Sequence, residues 1–288
     1  MVFTATKVHF CHQTWQLDSS IQLVDQHTDY MDIVVENTPF HPVSHIWPDH
    51  PADRGYLIAA DKRIEVMDCL VGAIELETQT LYVGSAIPVK RDSDGWVFVV
   101  VHRVTKNAEL FVGQTISLEV DKAYQESLSR GHSAGHIASL ALNKVLAASY
   151  WRKEADRKDG LGHYDFNSYA QEQSLISPNN CFDRYRLGKT LKKRGLNTTE
   201  VVSDLQRIEE LTNQQLLDWL QSPSEVDMQL EGPYLTSSRY WHCTLDGVDV
   251  VMPCGGTHVN HMNEFSELKI ELKAIDSSYI EMHTRVSL

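Results

Sequence analysis

Short apolar runs separated by turn residues dominate the first 121 positions of the chain. Residues 31–35, 64–70 and 95–101 are rich in β-branched residues, and polar turns such as 91–95 lie between such runs. This pattern predicts several short strands arranged as a small barrel or sandwich, with 113–121 as the last strand. We therefore assign residues 1–125 to a small β-barrel domain.

The periodicity changes at His132, where apolar residues at helical spacing and no proline predict a helix to about position 153. Residues 182–220 predict two or more amphipathic helices. After Pro223 the strand pattern returns: Asp246-Gly247 predicts a hairpin, and 268–275 with 279–286 predict a closing strand pair. We expect an α+β protein whose second domain, 126–288, is an α/β two-layer domain with a helical insert at about 155–230.

Length and composition narrow the class of protein. The 288 residues are enough for two domains, and 42% hydrophobic with 23% charged residues is ordinary for a globular chain. No apolar run approaches a membrane span, and the first residues lack the features of a signal peptide. Five scattered cysteines argue against a disulfide framework. We expect a cytoplasmic protein with no membrane partner and no disulfide partner.

Two histidines four residues apart, His132 and His136, form the first half of a candidate metal site. On a helix such residues share one face, so both imidazoles can reach a single ion. Cys254 and His258 supply a thiolate and a third imidazole, which completes a nitrogen and sulfur set suited to zinc. The glycines between them, Gly255 and Gly256, are expected to permit positive φ and close backbone approach to a ligand.

Together these motifs resemble those of the editing domains of alanyl- and threonyl-tRNA synthetases and of free-standing, AlaX-type alanyl-tRNA editing proteins. The string 254–259, Cys-Gly-Gly-Thr-His-Val, matches the second zinc motif of that family fully. His132 and His136 match the first motif, with Ser133 where the family usually has threonine. Residues 38–42 and 53–57 resemble the two ends of the segment that precedes the family's barrel strands.

The resemblance implies a zinc-dependent, ATP-independent hydrolase that deacylates mischarged tRNA in trans and serves translation fidelity. Ser- or Gly-tRNA(Ala) is the expected substrate, and we expect no synthetase core beside the two predicted domains. Zinc would either activate water or orient the amino acid. Backbone N–H groups of Gly255, Gly256 and Thr257 are expected to bind the ester carbonyl oxygen; the Thr257 hydroxyl would contact substrate or form a local turn. No carboxylate is identified as a general base.

Two segments depart from the family pattern. The loop 43–52 is longer than the usual glycine-rich stretch, and with His41 it brings His45 and His50, which form either a second metal cluster or part of a rigid surface loop. The net charge of −13 argues against a nucleic-acid partner, but segment 183–195 is locally basic. Its cations are predicted to contact tRNA, or else form a solvated helix face: Arg184, Arg186, Lys189, Lys192, Lys193 and Arg194.

Two other functions remain compatible with these residues. The chain could be a zinc hydrolase of a small amide or ester that does not use tRNA, or a binding module in which zinc is structural. The oligomeric state is left open by the sequence.

Overall fold

A computed structural model, described over residues 3–287, divides the chain into two compact units. The first unit comprises Met1–Glu126, Leu230–Arg239 and Gly255–Thr257. The second comprises Ser127–Gln229, Tyr240–Cys254 and His258–Leu288. The predicted α+β class is confirmed, because the structure is mixed, with few helices and mostly antiparallel sheets.

Ten strands lie within residues 3–126 of the first unit. They are β1 (Lys7–Val8), β2 (Gln16–Gln26), β3 (Tyr30–Val35), β4 (Asn37–Thr38), β5 (Gly55–Ala59), β6 (Lys62–Val66), β7 (Asp68–Glu75), β8 (Thr80–Val83), β9 (Trp96–Thr105) and β10 (Thr115–Val120). Eight form one curled sheet in the order β6-β5-β10-β2-β3-β9-β7-β8, and β1 pairs with β4 in parallel. Two 3₁₀ turns, Phe10–His12 and Gly84–Ala86, also belong to this unit.

Strand β2 explains the curl of this sheet. Its first half pairs with β10 and its second half with β3, and the register shifts between Ile21 and Leu23. A bulge of this kind bends a strand and increases its twist. The sheet therefore wraps around buried side chains such as Ile33, Leu57 and Leu118. Since β6 and β8 are the ends of the sheet order, the predicted barrel is observed as a half-barrel.

The second unit combines two smaller sheets with the helices. Its elements are α1 (Lys122–Ser149), which begins in the first unit, α2 (Phe166–Ala170), β11 (Gln171–Ser177), β12 (Asn180–Arg186), α3 (Lys189–Arg194), α4 (Thr198–Ser203), α5 (Leu205–Gln221), β13 (Val226–Leu230), β14 (Arg239–Leu245), β15 (Val248–Pro253), a 3₁₀ turn (Met262–Glu264), β16 (Glu267–Ala274) and β17 (Tyr279–Ser287). One sheet has the order β11-β12-β17-β16 and the other β13-β14-β15.

Helix α5 protects the edge strand β16. The Asn213 side chain donates to the Ile270 carbonyl at 2.9 Å and accepts the Ile270 N–H at 2.8 Å. Glu209 accepts the Leu272 N–H at 2.7 Å. These bonds satisfy backbone groups that an edge strand would otherwise leave exposed.

Several local predictions hold. The Asp246-Gly247 hairpin is confirmed between β14 and β15, with both turn residues at positive φ, 52° and 74°, as a tight hairpin turn requires. The closing pair is confirmed as β16 and β17. The first helix begins at Lys122, ten residues earlier than the sequence predicted. Within residues 3–287, no helix has the length and apolar character needed to cross a membrane.

The prediction of helix from position 182 was wrong, because 180–186 is strand β12 and helical structure begins at Lys189. In β12 Cys181, Asp183 and Tyr185 are buried, and the residues between them are more exposed. The strand pattern was not recognised because Asp183, a charged residue, occupies a buried position. The Gln171 side-chain amide donates a hydrogen bond to Asp183 at 2.7 Å, which makes this burial possible.

Candidate metal centre

Two glycines of α1 set the position of the helix that carries His132 and His136. A Cβ atom at Gly131 would lie 2.5 Å from the Asn180 carbonyl oxygen, and one at Gly135 would lie 2.7 Å from Cys181 Sγ. Because the two glycines are four residues apart, they lie on one face of α1, where the helix approaches β12 closely. The adjacent helix positions hold the two imidazoles.

The structure brings the four predicted ligands together, although Cys254 is 122 positions from His132. Their ligand atoms all lie within 4.8 Å of one another. Cys254 Sγ is 3.4 Å from His132 Nε2, 3.3 Å from His136 Nε2 and 3.1 Å from His258 Nε2. Zinc bonds of about 2.3 Å to sulfur and about 2.0–2.1 Å to nitrogen place tetrahedral ligands about 3.6 Å apart. The residues therefore fit a zinc ion.

Two neighbours orient the histidine rings. Ser133, fully buried on α1, places Oγ 3.0 Å from His258 Nδ1 and accepts the Val259 N–H at 3.1 Å. With Nε2 facing the other ligands, Nδ1 carries the hydrogen and donates it to Ser133. The buried Trp241 indole lies with its ring centre 5.3 Å from that of His136 and forms an apolar wall.

Burial also sets the protonation state of His136. Desolvation lowers the pKa of His136 to about 4, because a buried imidazolium loses its hydration. At neutral pH this imidazole is therefore uncharged, and its Nε2 lone pair is available to a metal ion. Three imidazole nitrogens and one cysteine sulfur suit zinc better than the hard, oxygen-binding cations.

The segment between the two downstream ligands belongs to the first unit. Neither Gly255 nor Gly256 has a positive φ, so the conformational freedom expected of these glycines is not used here. Thr257 is buried, and its hydroxyl lies 3.2 Å from His50 Nε2. His50 Nδ1 lies 2.8 Å from the Pro51 carbonyl, so Nδ1–H donates to Pro51 and Nε2 accepts the Thr257 hydroxyl.

The loop histidines do not form a second metal cluster among residues 3–287, where the single group of three or more ligands is the one described above. His41 and His50 are buried with ring centres 4.2 Å apart, whereas His45 is partly exposed. Asp53 accepts the His41 N–H at 2.7 Å and the Gln125 amide at 2.6 Å. Burial raises the pKa of Asp53 to about 7.

The predicted tRNA-binding cations fall on two elements. Arg184 and Arg186 are on β12, and Lys189, Lys192, Lys193 and Arg194 are on α3. Two of them are ion-paired: Arg186 with Glu172 at 3.2 Å, and Arg194 with Asp156 at 2.9 Å. The Arg184 guanidinium lies over the Tyr279 ring at 4.7 Å.

Sequence reasoning missed three residues near these motifs. Ser133 was noted only as a hydroxyl residue in the motif, and its contact with His258 spans 125 positions. Trp241 carried no signal beyond its place in a predicted strand. His50 was noticed as an extra histidine, but its bond to Thr257 depends on tertiary contacts.

Comparisons with known proteins give a consistent set of relatives. No protein-family model matches the chain. Relatives at 20–29% identity over most of the chain are alanine–tRNA ligases. One, from Thermotoga petrophila, is 27% identical over 257 residues, which is 85% of this chain and 23% of the relative.

A second alanine–tRNA ligase, from Methanothermobacter thermautotrophicus, is 22% identical over 282 residues, or 93% of this chain and 25% of the relative. A third, from Sorangium cellulosum, is 25% identical over 249 residues, or 83% and 21%. The chain thus spans a quarter or less of the length of these relatives. It is similar to one part of an alanine–tRNA ligase.

Proposed function

We propose that this relative of alanine–tRNA ligases is a zinc-dependent hydrolase that removes the amino acid from mischarged tRNA in trans. The proposal assigns residues 126–288 as the editing-type domain and Ser- or Gly-tRNA(Ala) as substrate. The observation that carries it is the gathering of His132, His136, Cys254 and His258 into one cluster with zinc-like spacing. Alanine–tRNA ligases handle tRNA, which makes an aminoacyl ester the natural target.

The protein groups have separate tasks in this proposal. His132, His136, Cys254 and His258 hold the metal, which when bound supplies Lewis-acid chemistry for a carbonyl or a water molecule. Ser133 holds the His258 ring, and the low pKa of His136 keeps that imidazole neutral. Hydrolysis adds water across the ester and releases the amino acid and a free ribose hydroxyl.

Residues Gly255 to Thr257 are the proposed substrate contacts because they join two ligands directly along the chain. Small residues leave the backbone accessible, so their N–H groups suit a carbonyl oxygen that gains negative charge. The hydrogen bond from the Thr257 hydroxyl to His50 holds that side chain in one orientation. Thr257 then presents the oxygen rather than the hydrogen of its hydroxyl to a ligand.

Deacylation of tRNA(Ala) charged with serine, glycine or alanine tests the proposal directly. The purified chain with zinc should hydrolyse the Ser or Gly ester faster than the Ala ester. A Cys254→Ala variant should lose bound zinc and hydrolysis together. Cys11→Ala is the matched control, because Cys11 is a free thiol of similar exposure outside the cluster. Absence of hydrolysis with all three charged tRNAs, in protein shown to contain zinc, would refute the activity.

The complete ligand set favours one alternative, a structural zinc in a non-catalytic module. Structural zinc sites usually have four protein ligands, whereas catalytic sites keep a position open. Under this alternative, Cys254→Ala lowers the free energy of unfolding but wild-type protein shows no hydrolysis of either tRNA esters or small amino-acid esters. Hydrolysis of small esters alone would instead indicate a hydrolase that does not use tRNA.

A further inference from the structure

A basic cavity of the second unit lies at the end of α3. Its volume is about 320 Å³, and its lining includes Arg152, Lys153 and Lys192 with the segment 195–199. None of the residues that line it is acidic, although the whole chain carries a net charge of −13. With about 30 Å³ for each water molecule, the cavity has room for a phosphate group and its hydration.

Backbone hydrogen bonds build the walls of this cavity. The Arg152 N–H donates to the Gly195 carbonyl at 2.8 Å, and the Asn197 N–H donates to the Tyr150 carbonyl at 2.8 Å. An antiparallel bridge between Trp151 and Leu196 lies between these bonds. The two segments are therefore held side by side, which places Arg152 and Lys153 next to the last turn of α3.

Gly195 is what permits this close approach. Its φ is +112°, a backbone conformation that residues other than glycine rarely adopt. A Cβ atom there would lie 2.6 Å from Lys153 Cγ and 3.1 Å from the Lys153 carbonyl oxygen. The Gly195 N–H also caps α3 by donating to the Leu191 and Lys192 carbonyls at 3.1 and 3.2 Å. The backbone at Lys153 is thus held close to the C-terminal end of α3.

The three cations of the cavity lack acidic partners in the part of the chain that the structure describes. Ion pairs within residues 3–287 include those of Arg186 and Arg194, but none includes Arg152, Lys153 or Lys192. Like charges that share a cavity repel one another, and an anion between them reverses the sign of that interaction. The cavity is therefore suited to a multiply charged anion.

We propose that Arg152, Lys153 and Lys192 form a phosphate-binding site for the backbone of the bound tRNA. The choice of RNA as the source of the phosphate rests on the proposed function. Arg152 and Lys153 lie outside the basic segment 183–195 and extend it into a concave site. Lys192 belongs to both, and it is the cation of that segment that lines the cavity.

The test measures binding of uncharged tRNA(Ala) to the full chain as a function of salt concentration. In the variant R152Q/K153Q/K192Q the slope of log affinity against log salt should fall in magnitude by about 2–3, because each of the three phosphate contacts contributes about 0.7–0.9. Affinity at about 0.1 M salt should fall on the order of 10- to 100-fold. The matched control is K269Q/K273Q/R285Q, which makes the same charge change on β16 and β17, where the cations are ion-paired.

Each outcome decides the proposal. A reduced slope in the cavity variant with an unchanged slope in the control supports the proposal. A wild-type slope in the variant K153R/K192R, which keeps Arg152 and all three positive charges, supports it further. Equal losses in both variants indicate a general charge effect and overturn it. Titration with inorganic phosphate separates the two sources: tight phosphate binding that is lost in the variant, with no change in the tRNA slope, assigns a free phosphate ligand and overturns the RNA assignment.

The same variant separates this site from the proposed activity. If deacylation occurs, the cavity variant should raise KM for charged tRNA with kcat unchanged, since the cavity is outside the His/Cys cluster. If wild-type protein binds tRNA through the cavity but hydrolyses no charged tRNA, the phosphate site stands and the proposed activity fails. If it hydrolyses charged tRNA and the cavity variant has wild-type KM and salt slope, the phosphate site fails and the activity stands.

Discussion

Replacing Ser133 with alanine tests whether the candidate metal centre is oriented from outside its ligand set. The substitution removes the oxygen that accepts the Val259 N–H at 3.1 Å and contacts His258 Nδ1 at 3.0 Å. Leaving a buried donor without its acceptor costs about 1–3 kcal/mol. We therefore expect the free energy of unfolding of the metal-free protein to fall by that amount.

Ser133→Ala should lower the affinity for zinc more than an ordinary substitution on α1 would. Loss of a hydrogen bond that orients a metal-binding histidine typically lowers metal affinity about 10- to 100-fold. Competition with a chelator of known affinity at neutral pH measures the zinc Kd, and urea denaturation of the metal-free protein measures stability. Ser133→Thr keeps the hydroxyl oxygen and should recover part of the zinc affinity.

Ser139→Ala provides the control on the same helix. The Ser139 hydroxyl donates to the His136 carbonyl of its own helix at 2.9 Å, so its removal leaves no group on another segment without a partner. Alanine also has a higher helix propensity than serine, by about 0.5 kcal/mol. Wild-type zinc affinity and stability in Ser133→Ala would refute the orienting role, as would equal losses in both variants.

Three further predictions concern stability, each measured by chemical denaturation. Burial raises the pKa of Asp53 to about 7, so the folded protein keeps a proton on Asp53 that the unfolded chain releases above about pH 4. The free energy of unfolding should therefore fall between pH 4 and pH 7, by up to about 4 kcal/mol. Asp53→Asn should flatten that decline, and an unchanged pH profile in this variant would contradict the pKa shift. Gly131→Ala should destabilise the protein by about 1–3 kcal/mol, because the added Cβ would collide with the Asn180 carbonyl oxygen. This loss should appear even though alanine favours a helix over glycine by about 1 kcal/mol. A stabilised variant would show that α1 is not held against β12. Asn213→Ala should cost about 1–3 kcal/mol by removing both bonds to the Ile270 backbone, and no loss would mean that water replaces them.

Local patterns were enough to predict many elements of the fold. The Asp246-Gly247 turn was recognisable because both positions need positive φ, which few residue pairs tolerate. The pair β16 and β17 follows from two apolar runs joined by a short polar segment. Helix α1 was found from its apolar spacing, but its first ten residues were missed because polar residues dominate there.

Strand β12 was missed for a physical reason that also affects the basic segment. Its inward face carries Cys181, Asp183 and Tyr185, and the aspartate becomes acceptable inside because Gln171 donates to it. That partner comes from the neighbouring strand, so the sequence of β12 alone looks polar. The same folding leaves Arg184 on a strand and Lys192 on a helix, where the sequence suggested one continuous helical face.

The sequence by itself determined which residues could bind a metal ion, because donor type and the four-residue spacings follow from chemistry and helix geometry. Only the tertiary structure decided that Cys254 reaches His132, that Ser133 contacts His258, and that Arg152 and Lys153 join Lys192 around one cavity. Spacing along the chain constrains neighbours within one element. Contacts between elements depend on side-chain packing and backbone approach, such as that of Lys153 to Gly195, which arise only when the whole chain is folded.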